Sequence, residues 1–297
     1  MTDDKKITIF TPTYNRAETL KLAYLSLKNQ NSKNFKWLII DDGSTDDTEK
    51  LVTEWKKEER VKIKYIKKEN GGKHTAYNVA LKHCNTDYML VLDSDDYLIK
   101  NAINSLENYI NSIDMDKIWG IVGPKTLKRD INEKVNLQTI KKTKLAYVYK
   151  KYKGETYILL NLKYAKRYYF PIFDNEKLVP EDVVYNQLDL NYDIYWINDN
   201  IYVYEYRDDG YTKAGVDNII NNCNGFFYAN YIKAKISKYS AIEKGKAYAR
   251  CKVLKKIFRK EIKQQINNKE IKISIKIIGN MIYPLFFYHY SKKIKGK

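Results

Sequence analysis

The sequence predicts an α/β protein: a mostly parallel sheet with helices on both faces, followed by a basic helical tail. Three observations carry that prediction. Short apolar runs alternate with helical spacing over residues 7–92, each run ends in a polar cluster, and the charge balance changes abruptly near residue 232.

The elements follow in order. Ile7-Thr8-Ile9-Phe10 is an apolar, β-branched run that stops at Pro12, as a buried strand would. Asn15 followed by Glu18 has the spacing of a capping box, and Leu20, Ala23, Tyr24 and Leu27 then repeat at helical intervals. Trp37-Leu38-Ile39-Ile40 is a second strand. A helix starting near Ser44 to Asp47 carries Leu51, Val52 and Trp55 on one face. Ile63 to Ile66 is a third strand, Thr75 to Cys84 a third helix with Ala76, Val79 and Ala80, and Tyr88 to Leu92 a fourth strand. This βαβαβαβ order implies parallel strands joined by helical crossovers.

Parallel sheets of this kind bind ligands beyond the carboxyl ends of their strands. The segments that follow the four strands are Thr11-Pro12-Thr13-Tyr14, Asp41-Asp42-Gly43-Ser44, Asn70-Gly71-Gly72-Lys73 and Asp93-Ser94-Asp95-Asp96. One such cluster is an ordinary turn. Four on one edge describe a site.

Composition narrows its chemistry. The chain has 297 residues, 44% of them hydrophobic, enough for a substantial core. Three cysteines, Cys84, Cys223 and Cys251, show no paired spacing, which argues against a disulfide framework or a thiolate zinc site. The start, Met1 to Lys6, has no apolar signal core, so the expectation is a cytoplasmic protein. Net charge is +18, but residues 233–297 hold 19 Lys and Arg against three Glu, a net +16. A near-neutral body with a basic tail does not suit a nucleic-acid-binding chain.

Neither a glycine-rich dinucleotide loop nor a P-loop follows the first strand. The edge offers carboxylates instead, and these would repel a diphosphate unless a cation lay between them. Asp93, Asp95 and Asp96 supply hard oxygen ligands suited to Mg²⁺ or Mn²⁺.

In order and spacing, the four clusters, with Asn78 downstream of the third, resemble successive motifs of the family 2 glycosyltransferases, which have the Rossmann-like GT-A fold. The resemblance is close over residues 6 to about 100 and looser to about 212. It implies an inverting transferase with a nucleotide-diphosphate sugar donor, a UDP-sugar foremost, and a divalent metal. The acceptor would be a glycan or lipid-linked molecule of cell-surface polysaccharide biosynthesis. Pro12 and Tyr14 would flank the base, and Asp42, or its neighbour Asp41, would accept the uracil imide N–H. Asn70 and Lys73 would lie near base and ribose, Lys73 standing where the family often has an arginine. Asp93 would meet the ribose, Asp95 the metal, and Asp96 would support them. On this reading residues 1–222 form the transferase domain, with a nucleotide half to about 100 and an acceptor half to 222, and 223–297 form the helical tail.

Inversion needs a base for the acceptor hydroxyl. In Val179-Pro180-Glu181-Asp182-Val183, paired acids open a helical stretch, where carboxylates are also favoured as caps. The pair resembles the family's acceptor-side acidic motif, which implies Asp182 as base and Glu181 as ligand of the acceptor hydroxyl or alternative base. Tyr204 to Thr212 resembles the segment that closes over the diphosphate in related enzymes, with Arg207 either pairing with phosphate or solvated at the surface.

The tail from Ile271 to Tyr290 is rich in Ile, Phe and Tyr but broken by Lys272, Lys276 and Pro284. Its apolar run from Ile277 to Tyr290 is too short to span a bilayer, for which about 20 residues are needed. Apolar residues among lysines suit an anionic membrane surface, hence a peripheral location on the inner face of the cell membrane; packing on the catalytic domain is the competing reading. Two other functions remain to be weighed. A metal-dependent phosphohydrolase would need its nucleophilic Asp pair after the first strand, where this chain has Thr11-Pro12-Thr13. An inactive membrane-surface binding protein would have no use for Asp93/Asp95 together with Glu181/Asp182.

Overall fold

A computed structural model describes residues 6–130, 141–205, 215–236, 238–259, 262 and 267–295. The chain divides into two compact units, one drawn from Met1–Tyr169 with Asn191–Arg207, the other from Phe170–Leu190 with Asp208–Lys297.

In the first unit, β1 (Ile7–Thr13), β2 (Phe35–Asp41), β3 (Ile63–Lys67) and β4 (Tyr88–Val91) lie side by side in the order β3-β2-β1-β4, all parallel. They are joined through α1 (Ala17–Lys28), α2 (Thr48–Glu58) and α3 (Lys73–His83). Beyond β4 the sheet becomes mixed. β8 (Thr156–Asn161) runs antiparallel to both β4 and β6 (Ile118–Leu127). β10 (Tyr202–Tyr204) is parallel to β6 and antiparallel to the short β5 (Tyr97–Leu98). β9 (Asp193–Trp196) pairs with β6 and with β7 (Lys142–Thr143). Helix α4 (Ala102–Ser112) follows β5, while α5 (Leu145–Lys151) and α6 (Leu162–Ala165) flank β8 in sequence.

Successive side chains of β1 serve opposite faces, so the strand is buried on both. Ile7 and Ile9 join Leu20, Tyr24, Val52, Trp55, Ile103 and Leu106 in one core, which places α1, α2 and α4 on that face. Phe10 turns the other way and meets Tyr77 of α3 edge to face, with ring centroids 6.1 Å apart. On the first face Tyr24 stacks on Trp55 at 4.2 Å, and Trp37 lies against both while donating its ring N–H to the Thr11 hydroxyl at 2.9 Å.

Two local expectations change. β1 does not stop at Pro12 but runs to Thr13, with Pro12 opposite Ile40. The Phe10 carbonyl accepts from Leu92 and the Thr13 carbonyl from Asp42. Pro12 therefore shares the alternation of Phe10, toward β4, and its missing N–H falls where the pairing of β1 with β4 ends. The capping box also does not form. Asn15 adopts a left-handed conformation (φ 50°), and the first free N–H of α1, at Ala17, donates to Asp46 at 3.0 Å.

The second unit is helical: α7 (Asp182–Asn191), α8 (Gly215–Asn221), α9 (Cys223–Lys235), α10 (Ala241–Ile257) and α11 (Ile273–Lys295). The boundary expected at residue 222 cuts through this unit. Glu176 is the reason: it is buried and accepts the N–H groups of Asn224 (2.7 Å) and Gly225 (2.8 Å), capping α9. Asn222 in turn accepts those of Lys177 and Leu178. A side chain at Gly225 would meet the Leu178 carbonyl at 2.6 Å, so the segment before α7 is bound closely to α9.

Candidate functional site

The four polar clusters do meet at the carboxyl edge of β1–β4. Asp42 donates its N–H to Thr13, and Lys68 donates its own to Asp41, so each loop leaves the sheet hydrogen-bonded to the strand beside it. The two adjacent aspartates then part company. Asp41 is fully buried and accepts from the Ser44 N–H at 2.7 Å and from the Tyr65 hydroxyl. Asp42 accepts the N–H groups of Gly71 (3.0 Å) and Gly72 (2.7 Å) together with the Lys68 ammonium. It thereby fixes the third cluster to the second. Gly43, at φ +89°, makes this possible: a side chain there would lie 3.1 Å from the Asn70 nitrogen and 3.2 Å from the Lys68 carbonyl.

Tyr14 stands at the rim, 46% exposed. Asn15 ties the first cluster to the second, its side chain accepting from the Thr45 N–H at 2.8 Å and its own N–H donating to the Ser44 hydroxyl at 2.9 Å. Two polar atoms at this edge, Asn70 Oδ1 and Thr13 Oγ1, are buried with no hydrogen-bond partner among the described residues. Buried orphans of this kind mark places where a ligand or water completes the bonding.

The fourth cluster is held by residues the motifs did not reveal. Lys73, at the start of α3, lies 2.7 Å from Asp93. Lys125 of β6 lies 3.2 Å from Asp93 and 3.1 Å from Asp96. Tyr202 of β10 is in register with Lys125 on one side and Leu98 on the other. Its ring lies under the Lys125 ammonium at 4.1 Å, and its hydroxyl accepts the Asp93 N–H at 2.9 Å. Burial would raise the Asp93 carboxyl, but Lys73 and Lys125 outweigh it and hold it well below the usual carboxylate range. Burial, aided by the Asp93 charge and opposed by Lys125, pushes Asp96 up to about 6. Lys125, penalised by burial but facing two carboxylates, is held above the ordinary lysine value.

This arrangement tests the expected metal ligands. Among the described residues no three His, Cys, Asp or Glu side chains are grouped as a metal site. Asp93 and Asp96 are turned onto lysines. Asp95, half-buried, has no ion pair among the described residues, and a single carboxylate with donor phosphates is a sufficient protein contribution for Mg²⁺-type coordination. The residues fit a cation at Asp95, the one carboxylate of the three without a lysine partner among the described residues.

The acidic pair of the second unit opens α7. The Glu181 carbonyl accepts from Val184 and Tyr185, and the Glu181 side chain is exposed. Asp182 Oδ1 is buried without a hydrogen-bond partner among the described residues. Burial raises its carboxyl above the ordinary value, opposed by Lys233 and aided by Glu181. Further along the same helix face, Asn186 accepts from the Tyr239 hydroxyl at 2.7 Å and Asp189 pairs with Lys238 at 3.1 Å. Arg207 lies outside the described residues. A pocket of about 490 Å³, lined by Thr86, Tyr88, Met115 and Lys166 among others, opens at the amino end of β4, the sheet edge opposite the clusters.

Lys125 and Tyr202 carried one weak signal each: a lysine inside the apolar run Ile121 to Leu127, and an aromatic among many. Only the pairing of β6 with β10 makes them neighbours.

The family model for glycosyl transferase family 2 matches residues 8–169. The poly(ribitol-phosphate) beta-N-acetylglucosaminyltransferase TarP of Staphylococcus aureus is 36% identical over 121 residues, 40% of this chain and 37% of that protein. A glycosyltransferase of Rickettsia conorii is 44% identical over 101 residues, 34% of this chain and 16% of its own length. The chain thus spans well under half the length of these relatives. Among solved structures, that of S. aureus TarS 1–349 in complex with UDP-GlcNAc covers 98% of this chain and 88% of its own, with a TM-score of 0.64 and 18% identity. The mannosyltransferase PcManGT from Pyrobaculum calidifontis, in complex with GDP-Man and Mn²⁺, has a TM-score of 0.52 at 14% identity. Both share the GT-A fold with this chain.

Proposed function

The chain belongs to glycosyl transferase family 2, and from that premise we propose that it transfers a sugar, with inversion, from a UDP-sugar to a cell-wall glycopolymer or lipid-linked glycan. UDP-GlcNAc is the first donor to test, because it is the ligand of the TarS complex and TarP is named for transfer of that sugar. The observation that carries the reading is the carboxyl edge, where Asp42 ties down the Asn70–Gly72 loop while the neighbouring Asn70 Oδ1 and Thr13 Oγ1 are buried without partners among the described residues.

In this reading Pro12 and Tyr14 hold the base, the Asp41/Asp42 pair and Asn70 read its polar edge, and Asp93, kept ionised by Lys73 and Lys125, receives the ribose hydroxyls. A divalent cation, Mn²⁺ or Mg²⁺, held by Asp95 would supply charge relief for the departing diphosphate. Asp182 takes the proton of the acceptor hydroxyl as its oxygen attacks the anomeric carbon, and the bond to the diphosphate breaks. Its raised carboxyl suits a group that must accept that proton. Glu181 binds the acceptor hydroxyl or takes over as base, and Arg207 pairs with phosphate. The basic tail supports a peripheral position on an anionic membrane surface.

A thermal-shift series with UDP-GlcNAc, UDP-glucose, UDP-galactose and GDP-mannose, each with Mn²⁺, tests the donor. Stabilisation follows RT ln(1 + [L]/Kd), so the true donor raises the melting temperature above the others. UDP release with poly(ribitol-phosphate) then tests transfer. If GDP-mannose stabilises and no UDP-sugar does, the donor assignment is overturned.

A further inference from the structure

Helix α11 leaves one face uncovered. Ile273 (74% exposed), Ile277 (56%), Met281 (74%), Leu285 (73%) and Tyr288 (70%) follow one another at intervals of four, four, four and three residues, which aligns them along one side of the helix. The opposite side is closed by α10. Gly279 and Gly245 pack there so tightly that a side chain at Gly279 would meet the Gly245 carbonyl at 2.9 Å. Lys252 donates to Asn280 at 2.7 Å and covers the Tyr283 ring, while Arg250 lies over Phe286. The helix has no acidic residue, and Lys272 and Lys292 are exposed near its two ends.

We infer that this face is a membrane-docking surface: α11 lies parallel to an anionic bilayer, with Ile277, Met281, Leu285 and Tyr288 in the headgroup–acyl boundary and the lysines at phosphate level. The inference rests on the peripheral reading of the tail and deepens it from a net charge to a defined helix face. Charge selects the occupant. A second copy of the chain apposed on this face would bring lysine against lysine with no carboxylate on either helix to pair them, whereas an anionic headgroup layer neutralises them. The helix must lie on the bilayer rather than cross it, because among the described residues no helix is long and apolar enough to span a membrane. A strip of five apolar side chains about 23 Å long suits that shallow insertion.

The test compares the full chain with a charge-neutral triple variant, I277S/M281S/L285S, on vesicles of phosphatidylcholine alone and with 30% phosphatidylglycerol added. The thermal midpoint and the solution mass of both proteins are measured first. The wild type should partition at least tenfold more strongly onto the anionic vesicles, and the variant should lose at least tenfold of that binding. In a separate L285W protein, tryptophan emission should shift to the blue on anionic vesicles. Wild-type binding that the triple variant retains in full would overturn the face while leaving a charge-only peripheral reading intact. No vesicle binding by either protein would overturn both. A wild-type dimer that the variant converts to monomer, without vesicle binding, would assign the face to a second copy. Donor stabilisation, measured on the same proteins, reports separately on the transferase reading.

Discussion

Lys125 of β6 and Tyr202 of β10 face one another in register across neighbouring parallel strands, and the ammonium lies 4.1 Å from the centre of the ring. That pairing fixes a cation where it meets Asp93 and Asp96 together. Replacing it with Lys125→Met leaves the buried Asp96 without its cation beside a half-buried Asp93 that keeps only Lys73. Breaking a buried pair by removing one partner costs about 3 kcal/mol or somewhat more, so the variant should melt several degrees lower. Lys125→Arg, which keeps the charge, should recover much of the loss. UDP affinity, read by calorimetry, should fall in Lys125→Met more than in Lys125→Arg. Equal stability in all three proteins would show that the bridge is not formed in solution.

Asp95 and Asp93 should respond differently to the same change. Asp95→Asn removes the proposed cation ligand but no ion pair among the described residues, so the melting temperature should hold while Mn²⁺-dependent turnover and Mn²⁺ binding are lost. Asp93→Asn removes the ion pair with Lys73 and one of the two that Lys125 makes, and should lower stability as well. Mn²⁺ titration followed by electron paramagnetic resonance reads the difference. Unchanged Mn²⁺ affinity in Asp95→Asn would remove the metal from this residue.

Asp182→Asn should lower kcat by about a hundredfold or more, the usual scale for a general base, with donor affinity nearly unchanged. The buried Oδ1, without a hydrogen-bond partner among the described residues, and the raised carboxyl motivate this assignment. Single-turnover rates with UDP-GlcNAc and a soluble acceptor measure it. A far larger loss in Glu181→Gln than in Asp182→Asn would transfer the role to Glu181.

These residues also mark how far the sequence could be read. The four parallel strands, and the convergence of their loops, were legible because apolar runs with period two or 3.6 record burial directly. Asp41 and Asp42 could not be told apart, since what separates them is Tyr65 on one side and the Gly71–Gly72 amides on the other. Asn15 followed by Glu18 has the spacing of a capping box, yet Asn15 is spent on Thr45, and Asp46 from another loop takes its place at Ala17. Lys125 stands 77 positions before Tyr202, and only sheet register relates them. The same holds for Glu176, whose carboxylate caps a helix nearly fifty residues away. Local periodicity carries the elements; partners fixed by tertiary register leave no local trace.

His74, next to Lys73 on α3, supplies a pH dependence that can be measured apart from catalysis. It is buried, and burial, reinforced by the Lys68 charge and opposed by Asp42, lowers its pKa from 6.5 to about 4. The folded protein therefore holds the ring neutral at pH values where the unfolded chain has already taken up a proton. The stabilisation is fully present above about pH 6.5 and is lost as pH falls toward 4, because the unfolded state binds more protons over that window. The loss should amount to about 2 kcal/mol between pH 7 and pH 5. Other groups that titrate in this window, Asp96 at about 6 among them, contribute to both proteins alike, so the informative quantity is the difference between wild type and His74→Gln. Urea unfolding of both at pH 7, 6 and 5 should show the wild type losing that amount more than the variant. Parallel stability curves for the two proteins would mean that His74 titrates normally in the folded state, in which case its burial is relieved by an interaction that survives protonation.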